Sequence, residues 1–103
     1  MKLGVVVTDQ SNGGYAIDII RAAHERHWDV RCFLTDSGVR LLAQPQFLDL
    51  VNDGAARVAV CELSIERYGE GDPALTEPPE AVVVGGQYQD AELVNISDTV
   101  LVF

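Results

Sequence analysis

Lys2-Leu3-Gly4-Val5-Val6-Val7-Thr8, then Asp9-Gln10-Ser11-Asn12-Gly13-Gly14, then Tyr15-Ala16-Ile17-Asp18-Ile19-Ile20-Arg21-Ala22-Ala23, carries the clearest structural signal in the chain. The first run is continuously apolar and rich in valine, the pattern of a strand buried on both faces. Ser11-Asn12-Gly13-Gly14 signals a turn. A helix is predicted from about Tyr15 to His27. Its apolar positions Ala16, Ile19, Ile20 and Ala23 recur at helical spacing, while Asp18, Arg21 and Glu25 fall on the other side.

The same strand-then-helix unit repeats outward from there. Asp29 to Thr35 reads as a second strand, and Asp36-Ser37-Gly38 turns the chain into an irregular helical region. Pro45 splits that region before a helix over about Gln46 to Asn52, and Gly54 is placed to stop it. Arg57 to Cys61 is a third strand followed by a helix of about two turns. Gly69 to Pro79, rich in Gly, Pro and acid, reads as an exposed loop. Glu80 to Val84 is a fourth strand, followed by Gly85-Gly86 and a short helix near Gln89 to Asn95. Thr99 to Phe103 is a fifth. Strand and helix in alternation imply a three-layer α/β/α fold with a five-stranded parallel sheet. Right-handed crossovers bring every strand's carboxyl end to one edge.

A length of 103 residues suits one compact domain, expected to span residues 1–103 and to be complete with the final strand. Two cysteines do not make a disulfide framework. Cys32 and Cys61, on separate predicted strands, read as free thiols of a reducing compartment. No apolar run approaches the roughly 20 residues of a membrane helix, and Met1-Lys2-Leu3-Gly4 runs straight into a strand without a leader. The expectation is a cytoplasmic protein.

The formal charge is −9, unevenly spread. Through Arg57 there are six basic against seven acidic side chains; from Val58 onward Arg67 alone faces nine acids. Such a surface repels phosphate backbones and anionic lipid, which argues against direct nucleic-acid or membrane binding.

At the carboxyl edge the topology gathers Thr8-Asp9, Asp36-Ser37, Cys61 and Gly85-Gly86, the rim where open α/β sheets place ligands. A phospho-receiver needs an aspartate ending the third strand and a lysine near the fifth. Cys61 ends the third, and Lys2 is the chain's single lysine. A dinucleotide fold needs spaced glycines after the first strand. Asp9 to Gly14 has two adjacent ones, leaving only a weak nucleotide or flavin reading at a helix N-terminus. His24 and His27, three apart on one predicted helix, lack a third ligand, so neither metal nor cofactor is expected. Cys32 lies in mid-strand and reads as core.

Cys61 has a different setting. At a helix N-terminus a thiolate gains from the helix dipole and from free N–H groups. Arg67 adds positive charge six residues on; Glu62 and Glu66 oppose it. A reactive thiol and a buried strand-end cysteine both remain open on these grounds.

Cys61, Arg67 and Gly69 together are similar to the third-strand motif of the DsrE/DsrF family of sulfur-relay proteins, with TusD-like members. Val5 to Gly14 with its following helix, Phe33 to Val39, and Gly85-Gly86 with the last helix and strand also resemble it. The resemblance implies a homo- or hetero-oligomer, a trimer or hexamer. It also implies a sulfur carrier or sulfurtransferase subunit holding a persulfide on Cys61, between a sulfur-donor and a sulfur-acceptor protein. Arg67 and the backbone N–H groups of Leu63 and Ser64 are the candidates for holding the anionic sulfur. Asp9, Asp36, Gly85 and Gly86 form the rim. The alternative is a non-catalytic oligomeric domain of the same fold, binding a partner or small ligand there.

Overall fold

The computed structural model describes residues 1–103. Five strands, β1 (Lys2–Val7), β2 (Asp29–Leu34), β3 (Arg57–Cys61), β4 (Val83–Gly85) and β5 (Thr99–Val102), form one sheet in the order β4-β3-β2-β1-β5. Every pairing is parallel. The helices are α1 (Gly13–Glu25), α2 (Pro45–Asn52), α3 (Glu62–Tyr68), α4 (Pro73–Thr76) and α5 (Gln87–Ile96). Two 3-10 segments, Gln10–Asn12 and Asp36–Ala43, complete the connections. The parallel sheet with alternating helices agrees with the sequence reading.

The strand order explains why the two faces differ. From β1 through β4 the chain steps in one direction, and right-handed crossovers then put every connection on the same face. That face holds a core of 21 buried residues, with Val5, Val7, Val30, Leu34, Val58 and Val60 from the sheet against Ile17, Ile20, Leu41 and Phe47. From β4 the chain returns across the sheet to β5, so α5 covers the other face alone. There the buried cluster is only Val6, Phe33, Cys61 and Leu93. At about 1.5–3 kcal/mol per buried large apolar side chain, most of the stabilisation lies on the first face.

α1 buries Gly13, Ala16, Ile17, Ile20 and Ala23, a stripe at helical spacing. It begins two residues before the expected start, because the Gln10–Asn12 turn already carries the chain into helical geometry. A Cβ at Gly13 would collide with the Leu41 side chain, so this glycine admits the Asp36–Ala43 segment against α1. α1 also ends earlier than expected, at Glu25. His27 has φ +59 in the left-handed region, so His24 and His27 do not share a helix face. α2 starts with Pro45 in its first turn, where a missing N–H costs nothing. Gly54, at φ +72, terminates it as expected.

Two further segments depart from the sequence reading. Gly69 to Pro79 is not simply an exposed loop: Asp72 caps α4 by accepting from the Ala74 N–H at 3.0 Å, and Leu75 is fully buried. A single leucine among Gly, Pro and acid leaves no periodic signal, yet its burial folds the segment onto the core. The fourth strand runs Val83–Gly85 instead of Glu80–Val84. A turn closed by Val82 N–H to the Pro79 carbonyl takes up the preceding residues. β4 is an edge strand, with Val83 and Val84 exposed.

Candidate functional site

β3 and β4 are neighbours whose following helices leave on opposite sides. Ile65 and Tyr68 of α3 pack toward the larger core, while Leu93 of α5 packs into the smaller one. The carboxyl ends of two such strands bound the crevice where open α/β sheets bind ligands. Cys61 and Gly85, the last residues of β3 and β4, are register partners there.

Cys61 is both the end of β3 and the N-cap of α3. Its extended conformation, φ −74 and ψ 120, leaves the first N–H groups of α3 directed back toward its side chain. Opposing effects act on the thiol. Burial raises its pKa; the Ser64 hydroxyl, the N–H groups of Ser64 and Leu63, and the Thr35 hydroxyl lower it, and together they prevail. The sulfur makes no strict capping hydrogen bond, so these donors act as oriented dipoles around it. The residue keeps 8% of its surface exposed. Cys32 shows the contrast: enclosed among apolar side chains without donors, its thiol is pushed up to about 12.

Ser64 ties the site to the neighbouring strand. Buried in the first turn of α3, its Oγ accepts the Asp36 backbone N–H at 2.8 Å and lies 3.4 Å from Thr35 Oγ1. Asp36 has φ +49, a left-handed conformation that Asp tolerates better than most residues. One serine hydroxyl thus joins the start of α3, the end of β2 and the thiol.

The remaining sequence-derived candidates stand in different relations to the thiol, and neither Asp9 nor Arg67 is among the groups acting on it. Gly85 is beside Cys61, and a side chain there would meet Gln89. The Gly86 N–H donates to Gln89 Oε1 at 2.8 Å, capping α5. Leu63 contributes its N–H while its side chain is largely exposed. The Asp36 carboxylate is exposed. Asp9 is engaged in its own turn, accepting from the Ser11 N–H at 2.9 Å and the Ser11 hydroxyl at 2.8 Å; those two bonds hold its pKa below the ordinary carboxylate value. Arg67 lies exposed in the last turn of α3, makes no ion pair, and is not among the groups that shift Cys61. No group of three or more His, Cys, Asp or Glu side chains converges to hold a metal ion.

Two contributors escape the sequence reading: the hydroxyls of Thr35 and Ser64. Thr35 ends the second predicted strand, but its nearness to Cys61 follows only once β2 and β3 are known to be adjacent. The sequence points to the Ser64 N–H at the helix start, while the role of its hydroxyl depends on the fold.

No curated protein sequence matches the chain. The family model described as the DsrE/DsrF-like family matches residues 1–103, and with the parallel sheet and the strand-end cysteine already in view, the chain belongs to that family.

Proposed function

We propose that the protein is a sulfur carrier that holds a persulfide on Cys61 and relays sulfane sulfur between a donor and an acceptor protein. The observation that carries this reading is the environment of Cys61, whose surrounding donors lower the thiol pKa despite burial. Membership of the DsrE/DsrF-like family supports it.

In the loading step the Cys61 thiolate attacks the terminal sulfur of a donor persulfide. A new S–S bond forms on Cys61, the donor's own S–S bond breaks, and the donor cysteine leaves as a thiolate with the electron pair. Unloading repeats the exchange: an acceptor thiolate attacks the terminal sulfur, and Cys61 leaves as the thiolate. No net oxidation accompanies either step. A lowered thiol pKa serves both, by populating the attacking thiolate and by making Cys61 a good leaving group.

The Leu63 and Ser64 N–H groups and the Ser64 hydroxyl would hold the anionic sulfur. Arg67 would act at longer range, as charge near the approach of an anionic persulfide. Asp9, Asp36, Gly85 and Gly86 would frame the entry. The narrow exposure of Cys61 suits a slender persulfide better than a bulky substrate. The chain would work in the cytoplasm as a single domain within a homo- or hetero-oligomer, a trimer or hexamer.

Mass spectrometry after incubation with inorganic polysulfide tests the proposal. One adduct of about 32 Da, a single sulfur atom, should form, be removed by dithiothreitol, and be missing in Cys61→Ser. Absence of the adduct, or its persistence in Cys61→Ser, would overturn it.

A further inference from the structure

On the face covered only by α5, a groove of about 230 Å³ opens between β2, β3, β4 and one side of that helix. Phe33, Ala59, Val83 and Leu93 give it an apolar lining, and Gln89 and Glu92 border it from α5. Two of the chain's seven basic residues also line it. Arg31 and Arg57 are register partners on β2 and β3, so their Cα atoms are about 5 Å apart, as neighbouring strands are.

This pair is poorly matched by the rest of the chain. Glu92 Oε1 lies 3.3 Å from Arg31 Nη1, the one ion pair either arginine makes. Arg57 is exposed and has no carboxylate partner. Arg31 Nε is enclosed without a hydrogen-bond partner. A guanidinium offers five N–H donors, and a single 3.3 Å contact leaves most of them unused by the protein. Two like charges side by side repel, a cost that an anion between them reverses. The chain carries 16 acidic residues yet only Glu92 reaches this pair.

We propose that the groove binds a small amphipathic carboxylate. Its head would bridge Arg31 and Arg57, and its apolar body would lie over Phe33, Ala59 and Leu93. Arginine forks match carboxylate oxygens in pairs, which defines the head group. Glu92 at the border favours a singly charged head over a phosphate dianion, which it would repel more strongly. The volume lies below the roughly 300–1,000 Å³ of pockets for drug-sized ligands, so one ring or a short chain fits. Cys61 is not among the lining residues, and this site stands or falls apart from the sulfur chemistry.

Two-dimensional NMR titration with benzoate, benzamide and acetate tests it. Benzoate should give saturable shifts at Phe33, Ala59 and Leu93, with affinity about tenfold or more above the neutral amide and above acetate. Arg57→Gln should weaken benzoate about tenfold, and Glu92→Gln, by removing the internal competitor, should tighten it. Equal binding of benzamide, no saturable shift at those residues, or indifference to Arg57→Gln would overturn the proposal. If Arg57→Gln disturbs the amide spectrum, Glu92→Gln decides: unchanged or weaker benzoate binding counts against the site.

Discussion

Cys61 and Gly85 face each other across β3 and β4 at the point where the two following helices part to opposite faces of the sheet. The parting has a physical cause. Three connections run one way along the sheet and the fourth runs back, so right-handedness puts α5 opposite the others. The last residues of β3 and β4 are left at an open crevice, and one of them is a cysteine whose thiol is biased toward ionisation.

Ser64→Ala tests the centre of the site. Losing the hydroxyl removes a group that lowers the Cys61 pKa, so the pH midpoint of iodoacetamide alkylation should move up. It also leaves the Asp36 N–H without its acceptor, which should cost about 1–3 kcal/mol in urea unfolding. An unmoved alkylation midpoint would show that the hydroxyl does not act on the thiol.

The two cysteines should label very differently. In the native protein near neutral pH, Cys61 should alkylate and Cys32 should stay protected until unfolding, since burial pushes the Cys32 thiol up to about 12. Peptide mapping of singly labelled protein reads this directly. Label on Cys32 in the folded state would contradict the burial.

Cys32 also predicts an alkaline weakness. Its folded pKa, about 12, lies above the ordinary value of 9.0, so the unfolded chain ionises first. This contribution to stability is fully present below pH 9 and declines as pH rises toward 12. The expected slope is at most about 1.4 kcal/mol per pH unit. Cys32→Val should flatten that decline in urea unfolding at stepped pH; an unchanged slope would assign the effect to other groups.

Leu75→Ala and Leu63→Ala separate buried from exposed leucines in neighbouring segments. Leu75 is fully enclosed, and its truncation should cost about 2–5 kcal/mol. The Leu63 side chain is mostly in solvent, and its truncation should stay within about 0.5 kcal/mol. Comparable losses in thermal melts would mean that α4 does not pack as described.

Gly38→Ala should be among the most damaging single-methyl additions. A Cβ there runs into the Val7 backbone carbonyl, which is held in the sheet and has no room to yield. A loss of about 1–3 kcal/mol is expected in urea unfolding. A neutral result would show that the turn after β2 is more pliable than its contacts suggest.

Much of this protein was legible in its sequence because strand and helix periodicities are local. Val5-Val6-Val7 has nowhere to go but a sheet buried on both sides, and the pattern from Arg57 to Cys61 matches β3 residue for residue. Cys61 could be singled out by position, since a strand end followed by a helix start is a local event. Leu75 and the displaced fourth strand were not legible, because one buried leucine or a three-residue edge pairing leaves no repeating pattern. Strand order belongs to the same class of information. Only the assembled sheet brings Thr35 and Ser64 to the sulfur, sets Gly85 beside it, leaves Arg67 in solvent and lines Arg31 up with Arg57. Those relationships join residues far apart in the chain, through ladders and packing that local preferences do not specify. The candidate nucleophile was a property of the sequence; its chemical surroundings are a property of the fold.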